Sequence, residues 1–391
     1  MKILTALSTT AATEEALEHV CLTISAGLAG RSADLAFVFF SPDHADYAAL
    51  LVSTIHKRLR PTILLGCSAE SVIGNAQEIE GRSALCLWVG HLPGATLTPF
   101  HLEFVQAGDG FRVAGWPDAL PEIAHAPSFL VLAEPFTTPA EALLQDIETR
   151  YPGASAIGGM ASGGRKPGAN RLIFNNTVVD HGVIGVAVTG AVGIRTVVSQ
   201  GCRQIGDRFM ITQADQNIIH ELSGKPALDR LREAFSTLSP AEQHQAERAL
   251  HLGLVIDEHK DRFERGDFLI RNLVGVDQAA GSLAVADYVR VGQTVQFQLR
   301  DGASASEDLR ALLTEARAAG DGTPIGALLF SCNGRGRRFF NAPHHDVTAV
   351  RQQLGEIPVG GFFAMGEIGP VGGSNFLHGY TASIALFCAQ D

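Results

Sequence analysis

The chain has 391 residues, of which 46% are hydrophobic and 18% charged, and its formal net charge at pH 7 is −11. This composition is that of a folded globular protein too long for one ordinary hydrophobic core, so we expect two domains. The acidic balance argues against a nucleic-acid surface, and no apolar run reaches the roughly 18 residues of a membrane-spanning helix.

The first half of the chain predicts helices separated by short apolar strands. Apolar residues recur at a spacing near 3.6 over 11–29, and further helices are predicted over 47–59 and 139–150. Thr13 precedes two glutamates and Thr138 precedes a proline, so both threonines are predicted helix caps. The N-terminus lacks the pattern of a secretory signal peptide, and we therefore expect a cytoplasmic protein.

The second half begins at a boundary that we place near 200–225. Ser239, followed by a proline, is the predicted cap of a polar helix over 239–252. The other helices predicted here cover 214–222, a segment from Ala227, and 305–319. The predicted strands cover 252–256, 267–274, 283–290 and 293–299.

One module recurs three times along the chain, over 37–88, 129–188 and 327–387. Each copy reads as a strand, a helix, a short strand ending in glycine, an irregular loop and a strand. The predicted fold class is therefore α/β, with two domains (1–204 and 205–391) built from repeated strand-helix-strand-strand units and mixed sheets covered by helices. Stacked units of this kind place glycine-rich loops at strand ends, where ligand clefts usually form.

The loop after the strand 327–330 carries the sharpest local signal. It presents Cys332 and Asn333, and three arginines that begin with Arg335 follow within a few residues. Guanidinium groups match planar oxyanions, and nearby positive charge favours a thiolate. The alternative interpretation is a surface loop with solvated arginines and a packed cysteine.

Glu367 lies in a second glycine-rich loop, after the short strand of the third copy. Gly361 and Gly366 allow backbone N–H groups to face a ligand there, and Glu367 is a candidate acceptor for an ammonium group. Together with Arg335, such a glutamate would recognise a zwitterionic amino acid. A salt bridge or a solvated carboxylate is the alternative.

No metal site or cofactor is predicted. The six cysteines are scattered without a CxxC pair, which leaves a disulfide scaffold or structural zinc unsupported. The run from His344 to Asp346 resembles metal ligands, but adjacent residues on a strand face opposite ways. The glycine-rich nucleotide-binding motifs GxxxxGK[ST] and GxGxxG are both missing.

Several segments together resemble the FIST domain family. The segments 64–71 (LLGCSAES) and 156–164 (AIGGMASGG) are similar to the N-terminal FIST domain. Those similar to the C-terminal FIST domain are GDFLIRNLVGVD (266–277), GQTVQFQLRDGASASEDL (292–309), ALLFSCNGRG (327–336), IPVGGFFAMGEIGP (357–370) and FLHGYTASIALF (376–387). The resemblance covers nearly the whole chain, and the C-terminal segments carry most of its specificity.

The resemblance implies an intracellular sensory module that binds a small ligand, with amino acids proposed. It also implies a role in the cleft for Arg271 and Arg300, because the family pattern retains arginine at both positions. Read from the sequence alone, an arginine at a strand end is more often structural. The chain departs from the family's signalling architectures, since it has no room for a kinase, methyl-acceptor or cyclase output domain and no evident F-box.

The expected function is therefore signal transduction through a small anionic or zwitterionic metabolite, bound in a cleft of the C-terminal domain, with an unknown protein as output partner. The predicted ligand-binding residues are Cys332, Asn333, Arg335, Gly361, Gly366, Glu367, Arg271 and Arg300. Two alternatives stay open. One is a thiol-dependent amidase or hydrolase that uses Cys332 as its nucleophile, and the other is a protein-interaction scaffold.

Overall fold

The computed structural model describes residues 1–108, 110–118, 120, 126–320 and 322–389. Mixed sheets and helices make the protein a sheet-rich α/β fold, as predicted. The chain forms two compact units: unit 1 comprises residues 1–198 and 309–391, and unit 2 comprises residues 199–308. The predicted division into 1–204 and 205–391 stays a prediction about sequence domains.

The helices follow the predicted positions closely in most places. They are α1 (Thr13–Leu28), α2 (Ala48–Leu59), α3 (Ala140–Arg150), α4 (Ala227–Ser236), α5 (Pro240–Ala249), α6 (Gly302–Ala318), α7 (Arg337–Phe340) and α8 (His345–Leu354), with a 3-10 helix at Pro42–Tyr47.

The strands fall into three mixed sheets in unit 1 and a barrel in unit 2. The strands of the three sheets are β1 (Lys2–Ser8), β2 (Leu35–Phe40), β3 (Ile63–Ser68), β4 (Ser71–Gly74), β5 (Gln77–Glu80), β6 (Leu85–His91), β7 (Ala95–Ala107), β8 (Gly110–Ala114), β9 (Ser128–Ala133), β10 (Ser155–Met160), β11 (Leu172–Phe174), β12 (Thr177–Val179), β13 (Val183–Gly190), β14 (Val192–Ser199), β22 (Pro324–Cys332), β23 (Val359–Ala364), β24 (Glu367–Val371), β25 (Ser374–His378) and β26 (Ala382–Ala389). Those of the barrel are β15 (Cys202–Asp215), β16 (Ile218–Leu222), β17 (Lys225–Pro226), β18 (Leu250–Val255), β19 (Phe268–Asp277), β20 (Ser282–Val285) and β21 (Thr294–Arg300).

The three sheets of unit 1 share one strand arrangement. Their orders are β1-β6-β2-β3-β11-β12, β8-β7-β13-β9-β10-β24-β25 and β14-β26-β22-β23-β4-β5. At the centre of each sheet two strands of one copy, such as β2 and β3, pair in parallel. The last strand of the same copy, such as β6, pairs antiparallel with the first of them. Each predicted copy of the module thus forms the centre of one sheet.

Each sheet is completed by a hairpin that belongs to a different copy. The hairpin β11–β12 of the second copy pairs with β3, and β24–β25 of the third copy pairs with β10. The hairpin β4–β5 of the first copy pairs with β23, which closes the cycle. Because the edge hairpin of every sheet comes from another copy, the three copies cannot separate without breaking strand pairings.

A glycine recurs at the same register position in the three parallel pairs. Gly66 lies opposite Val38, Gly158 opposite Val131, and Gly361 opposite Leu329. A Cβ atom on these glycines would lie 2.3, 1.8 and 1.9 Å from the carbonyl oxygen of the facing residue. Only glycine allows the two strands to approach this closely.

The core of unit 1 lies where the three sheets face one another, and helices cover their other faces. Phe39 and Phe330 both pack against Phe362, with ring centroids 5.2 and 5.6 Å apart. Trp88 packs against Phe387 at 4.7 Å, and all these rings are buried. Apolar residues of α1 and α2 cover the first sheet, those of α3 the second, and those of α6 and α8 the third.

Unit 2 is a closed six-stranded barrel. Its order is β15-β21-β18-β19-β20-β16, and a further pairing of β15 with β16 closes it. Leu252 and Phe297 lie opposite each other on the same face of the sheet, where Phe297 also contacts the ring of Phe209. The helix α4 packs against β15 and β16, and the Arg230 guanidinium lies over the Phe209 ring at 5.0 Å.

Three local predictions are wrong and one cap is confirmed. The predicted helix 214–222 is instead the end of β15, a two-residue turn and β16, and Gln216 in the turn adopts a positive φ of 53°. Thr13 does not cap α1, because its hydroxyl bonds Nδ1 of His44. Thr138 does not cap α3, because its hydroxyl donates to the carbonyl of Gly182. Ser239 caps α5 with a full capping box.

Candidate functional site

Three of the predicted site residues converge on one short backbone segment, Tyr380–Thr381. The backbone N–H of Cys332 donates to the Thr381 carbonyl at 2.9 Å, and the N–H of Thr381 donates to Oε2 of Glu367 at 3.0 Å. The Nη1 group of Arg335 donates to the Tyr380 carbonyl at 3.4 Å. The fold therefore gathers these side chains from distant stretches of the chain.

Arg335 is nonetheless engaged by a carboxylate of its own chain. Arg335 is buried, and its Nε and Nη2 groups donate to Oδ2 and Oδ1 of Asp346 at 2.9 and 3.0 Å. Ser331 also donates to Oδ2 of Asp346, and the guanidinium lies 5.2 Å from the centre of the Phe340 ring. Although burial raises the pKa of Asp346, Arg335 and His345 outweigh it and hold that pKa below its usual range. The pair anchors the loop 333–336 in the structure as it stands.

Glu78 is a third buried acidic group in this neighbourhood and was not a sequence candidate. Its Oε1 atom accepts a hydrogen bond from the N–H of Val347 at 2.8 Å, in the first turn of α8. Burial, together with the negative charge of Asp346, raises the pKa of Glu78 to about 8. Glu78 is therefore largely protonated at neutral pH, which relieves the repulsion between the two carboxyl groups.

We call the predicted site residues of the two glycine-rich loops (Cys332, Asn333, Arg335, Gly361, Gly366 and Glu367) the loop cluster. The members not yet described differ in exposure. Cys332 is half-buried whereas the other five cysteines are buried, and the N–H of Gly334 donates to its sulfur at 3.5 Å. Asn333 is exposed, and its N–H donates to the Ala364 carbonyl. Gly361 lies in the middle of β23 against Leu329. The carbonyl of Gly366 accepts from Met160, which joins this loop to β10.

Arg271 and Arg300 belong to unit 2 and point to opposite faces of its sheet. Arg271 lies opposite Leu252, which is itself opposite Phe297 of β21, and its Nε group donates to Oδ2 of Asp287 at 2.5 Å. Arg300 follows Phe297 by three residues, at the end of β21 opposite Cys202. This odd separation along the strand points the two side chains to opposite faces, so they do not serve one site.

The face of the sheet that carries Arg300 also carries a row of buried polar side chains that the sequence analysis missed. Gln204, Gln298 and His251 lie directly opposite one another on the neighbouring strands β15, β21 and β18. Cross-strand neighbours of this kind have Cβ atoms about 5 Å apart. Gln298 is 2% exposed and His251 is 5% exposed. We call Gln204, Gln296, Gln298 and His251 the amide row.

Several amide atoms in the amide row have no hydrogen-bond partner within the described part of the chain. They are Nε2 of Gln204, Nε2 of Gln298 and Oε1 of Gln296. The other amide atom of Gln296, Nε2, donates to the Gly206 carbonyl at 2.8 Å. Buried polar groups nearly always have partners, so unpaired amides mark a place where a ligand or ordered water completes the structure.

Gly253 leaves room for the side chain of Gln298 in the amide row. A Cβ atom at this position would lie 2.8 Å from Nε2 of Gln298 and 3.0 Å from Phe268. Beside the row, Val255, Phe268 and Cys202 form a small apolar cluster against Phe263. Small-molecule sites are usually lined by apolar side chains together with a few buried polar groups.

The charge in this region is set by Arg300. Burial and the nearby Arg300 lower the pKa of His251 to about 4. The imidazole is therefore neutral at physiological pH, and the positive charge of the region is that of the guanidinium. Neutral donors beside one fixed cation are suited to an anion rather than a cation.

Two family models match the chain. The FIST N domain matches residues 34–225 and the FIST C domain matches residues 227–370. The chain belongs to the FIST family. The predicted resemblance is thereby confirmed, and the boundary between the two matched domains falls within unit 2.

FIST domains are sensory domains of signalling proteins, so the chain consists largely of sensory modules. An uncharacterized protein of Mycobacterium tuberculosis (strain ATCC 25618 / H37Rv) is 43% identical over 360 residues, which cover 92% of each chain. An uncharacterized protein of Mycobacterium bovis (strain ATCC BAA-935 / AF2122/97) is 43% identical over 361 residues, again 92% of each chain.

The FIST chain also carries an open apolar groove in unit 2. The groove encloses about 590 Å³ between α4, α5 and the strands β18 and β19. Its apolar lining is formed by Leu228, Leu231, Phe235, Ala246, Leu250, Leu273 and Val276. Within the described residues, the helices are too short or too polar to span a membrane.

Proposed function

We propose that this FIST protein senses a small anionic or zwitterionic metabolite, such as an amino acid, which binds at the amide row of unit 2. The observation that carries the proposal is the unpaired state of the buried Gln298 and Gln204 amides next to the Arg300 guanidinium. Leaving a buried amide unpaired costs about 1–3 kcal/mol. A ligand that supplies the missing partners recovers this energy on binding.

The chemistry of the unpaired atoms defines the ligand class. Two of the three are N–H donors, and the positive charge of the nearby Arg300 favours an anion, so the matching group is an oxyanion such as a carboxylate. The unpaired Oε1 of Gln296 is an acceptor and suits an ammonium or amide N–H of the same ligand. An α-amino acid carries both groups.

Sensing requires that the ligand binds two states of the protein with different affinity. The amide row joins β15, β21 and β18, so a bound ligand would link three strands of the barrel through their side chains. A signal would then pass to an output protein through the state of the barrel. Cytoplasmic location is part of this proposal.

The cluster of Cys332, Arg335 and Glu367 is the second location for the same ligand class. Its support is the convergence of these residues on Tyr380–Thr381. The observation against this location is that the Arg335 guanidinium already donates two hydrogen bonds to the Asp346 carboxylate. In this location Arg335 would hold the loop that presents Cys332 and Asn333, rather than contact the ligand.

The experiment is a calorimetric titration with the twenty amino acids and a set of small carboxylates, followed by variants. We expect Gln298→Leu to weaken the best binder at least tenfold, because an apolar side chain cannot supply the donor. Gln213→Leu, an exposed glutamine on β15, is the matched control and should bind as the wild type does. Weakening by Glu367→Gln instead of Gln298→Leu would move the site to the loop cluster, and a panel without any binder would refute the sensor proposal.

A specific observation also supports the thiol-dependent alternative. Cys332 is the partly exposed cysteine, and an N–H donor points at its sulfur. Hydrogen bonding of this kind stabilises a thiolate. Nucleophilic catalysis needs a base as well, and His345, an imidazole of the same region, bonds Asp346.

A further inference from the structure

A group of metal-ligating side chains lies in unit 1, on β7 and in the turn before β13. His101, Glu103 and His181 each place one ligand atom within 4.8 Å of the other two. Among the described residues this is the one group of three such side chains. We propose that these residues form a binding site for a divalent transition metal of the zinc type.

The backbone of the second sheet brings the three side chains together. His101 and Glu103 are two residues apart on β7 and therefore face the same side of the sheet. Val183 at the start of β13 pairs with Leu102, so the turn before β13 lies beside them. His181 is in that turn, and its ring centre lies 5.4 Å from that of His101.

Gly182 fixes the position of His181. Its φ is +72°, and a Cβ atom here would lie 2.3 Å from the carbonyl oxygen of Leu102. Only glycine permits this approach, which presses the turn against β7. On the other side, the His101 ring contacts Phe174, with centroids 5.9 Å apart. Packing thus defines the position of the His101 ring and of the turn that carries His181.

The donor set selects the metal class. Two imidazole nitrogens and one carboxylate oxygen suit zinc and its first-row neighbours, whereas calcium and magnesium prefer oxygen ligands. Three protein ligands leave a fourth tetrahedral position for water or a small molecule. The overall charge of −11 also favours cation binding.

His181 has the outer partner that zinc-bound histidines usually have. Its Nδ1 atom lies 3.2 Å from Oδ1 of Asp180, while its Nε2 atom lies 3.2 Å from Oε1 of Glu103. A carboxylate on Nδ1 fixes the ring so that Nε2 is available to a metal. Nε2 of His181 and Oε1 of Glu103 face each other directly, so a metal ion bound between them would replace their present contact.

The competing explanation is a solvated surface network of charges. The exposed pair His244 and Glu247 on α5 shows what such a network looks like, with one imidazole and one carboxylate at 3.6 Å. The proposed site differs by its second imidazole and by the carboxylate behind His181. These two features are the ones that a metal site needs and a simple ion pair does not.

Calorimetric titration with Zn²⁺, and visible absorption of the Co²⁺-substituted protein, test the proposal. We expect one equivalent of metal to bind, with d–d bands of a nitrogen- and oxygen-ligated tetrahedral site. His181→Ala should abolish this binding, and Asp180→Asn should weaken it about 10–100-fold. His244→Ala is the matched control and should leave it unchanged.

Cys332→Ser adds a second control, because the partly exposed thiol is a possible zinc ligand elsewhere on the chain. Retained binding in Cys332→Ser, lost in His181→Ala, supports the site. Binding that survives in both His181→Ala and His101→Ala, or no binding to the wild type, would overturn it. Circular dichroism of each variant shows whether a loss of binding is a loss of folding.

Discussion

Asp346 holds Arg335 through two parallel hydrogen bonds while both side chains are buried, at 2% and 0% side-chain exposure. The arginine is the one that the sequence suggested as a clamp for an anionic ligand, and Asp346 is the first acidic residue after it in the chain. The loop that carries Cys332 and Asn333 is thus built around an internal ion pair. This relationship ties the loop to the start of α8.

Replacing one partner of the Asp346–Arg335 pair should lower the free energy of unfolding. Asp346→Ala leaves a buried guanidinium without its carboxylate, and we expect a loss of about 3–5 kcal/mol in the free energy of unfolding. Arg335→Lys should lose nearly as much, because an ammonium group cannot reproduce the planar fork. Urea denaturation measures both. A loss below about 1 kcal/mol in Asp346→Ala would contradict the role assigned to the pair.

Glu78 should make the stability of the protein fall as pH rises. Its pKa in the folded state is about 8, above the ordinary value of 4.5, because it is buried near Asp346. Between these two values the folded state binds more protons than the unfolded state, so stability decreases with pH in that window. Glu78→Gln keeps an acceptor for the Val347 N–H and removes the titration.

Melting temperatures of the wild type and Glu78→Gln at about pH 5 and pH 8 test this prediction. We expect the variant to gain relative to the wild type at the higher pH. The exposed Glu18→Gln is the matched control and should show no such dependence. An equal difference between wild type and Glu78→Gln at the two pH values would show that Glu78 does not titrate in this window.

His251 should make the stability of the protein fall as the pH is lowered. Its pKa in the fold is about 4, below the ordinary 6.5, because burial and then Arg300 disfavour the imidazolium. Between these values the unfolded state binds more protons, so stability falls as the pH is lowered from about 6.5 to 4. At about pH 5 the loss amounts to roughly 2 kcal/mol. His251→Gln should remove this part of the acid dependence in urea titrations at each pH, and an unchanged acid dependence would be the contrary result.

The repeated glycines of the parallel pairs should be intolerant of alanine. Gly158→Ala and Gly361→Ala each drive a Cβ atom to within 2 Å of a carbonyl oxygen on the facing strand. We expect a loss of about 3 kcal/mol or more, since neither strand can move without disturbing its sheet. Gly110→Ala, where the added carbon meets no atom within 4 Å, is the control and should be nearly neutral. Thermal unfolding distinguishes the two outcomes.

The sequence predicted the units of the fold better than their assembly. Local apolar patterns located the central strands and most helices, because those patterns depend on neighbours in the chain. The exchange of hairpins between the copies was not predictable, since pairings such as Ile173 with Gly66 join residues over a hundred positions apart. The segment 214–222 looked helical, whereas its residues complete β15 and β16 through long-range pairing.

The site residues show the same limit. Asp346 looked like a helix-terminal charge, and nothing local indicated that Arg335 would fold back onto it. In β21, Gln296 and Gln298 alternate with Phe297 and Leu299, which is the pattern of a strand with one solvated face. Only the structure shows that this polar face is buried. Alternation indicates the side to which a residue points, but not what covers that side.

The reactivity of Cys332 decides between a sensor and a thiol enzyme. It is the partly exposed cysteine, and burial raises the pKa of the Cys86 thiol to about 12 and that of Cys21 to about 11. Iodoacetamide reacts with thiolates, so it should label Cys332 at least tenfold faster than the buried cysteines in the folded protein. Peptide mass spectrometry over a time course measures each rate.

Labelling of Cys332 that rises steeply near neutral pH, and that the best small-molecule binder blocks, would favour the thiol-dependent alternative. Fast labelling without protection would leave Cys332 as an accessible thiol next to the Asp346–Arg335 pair, and slow uniform labelling would exclude it as a nucleophile.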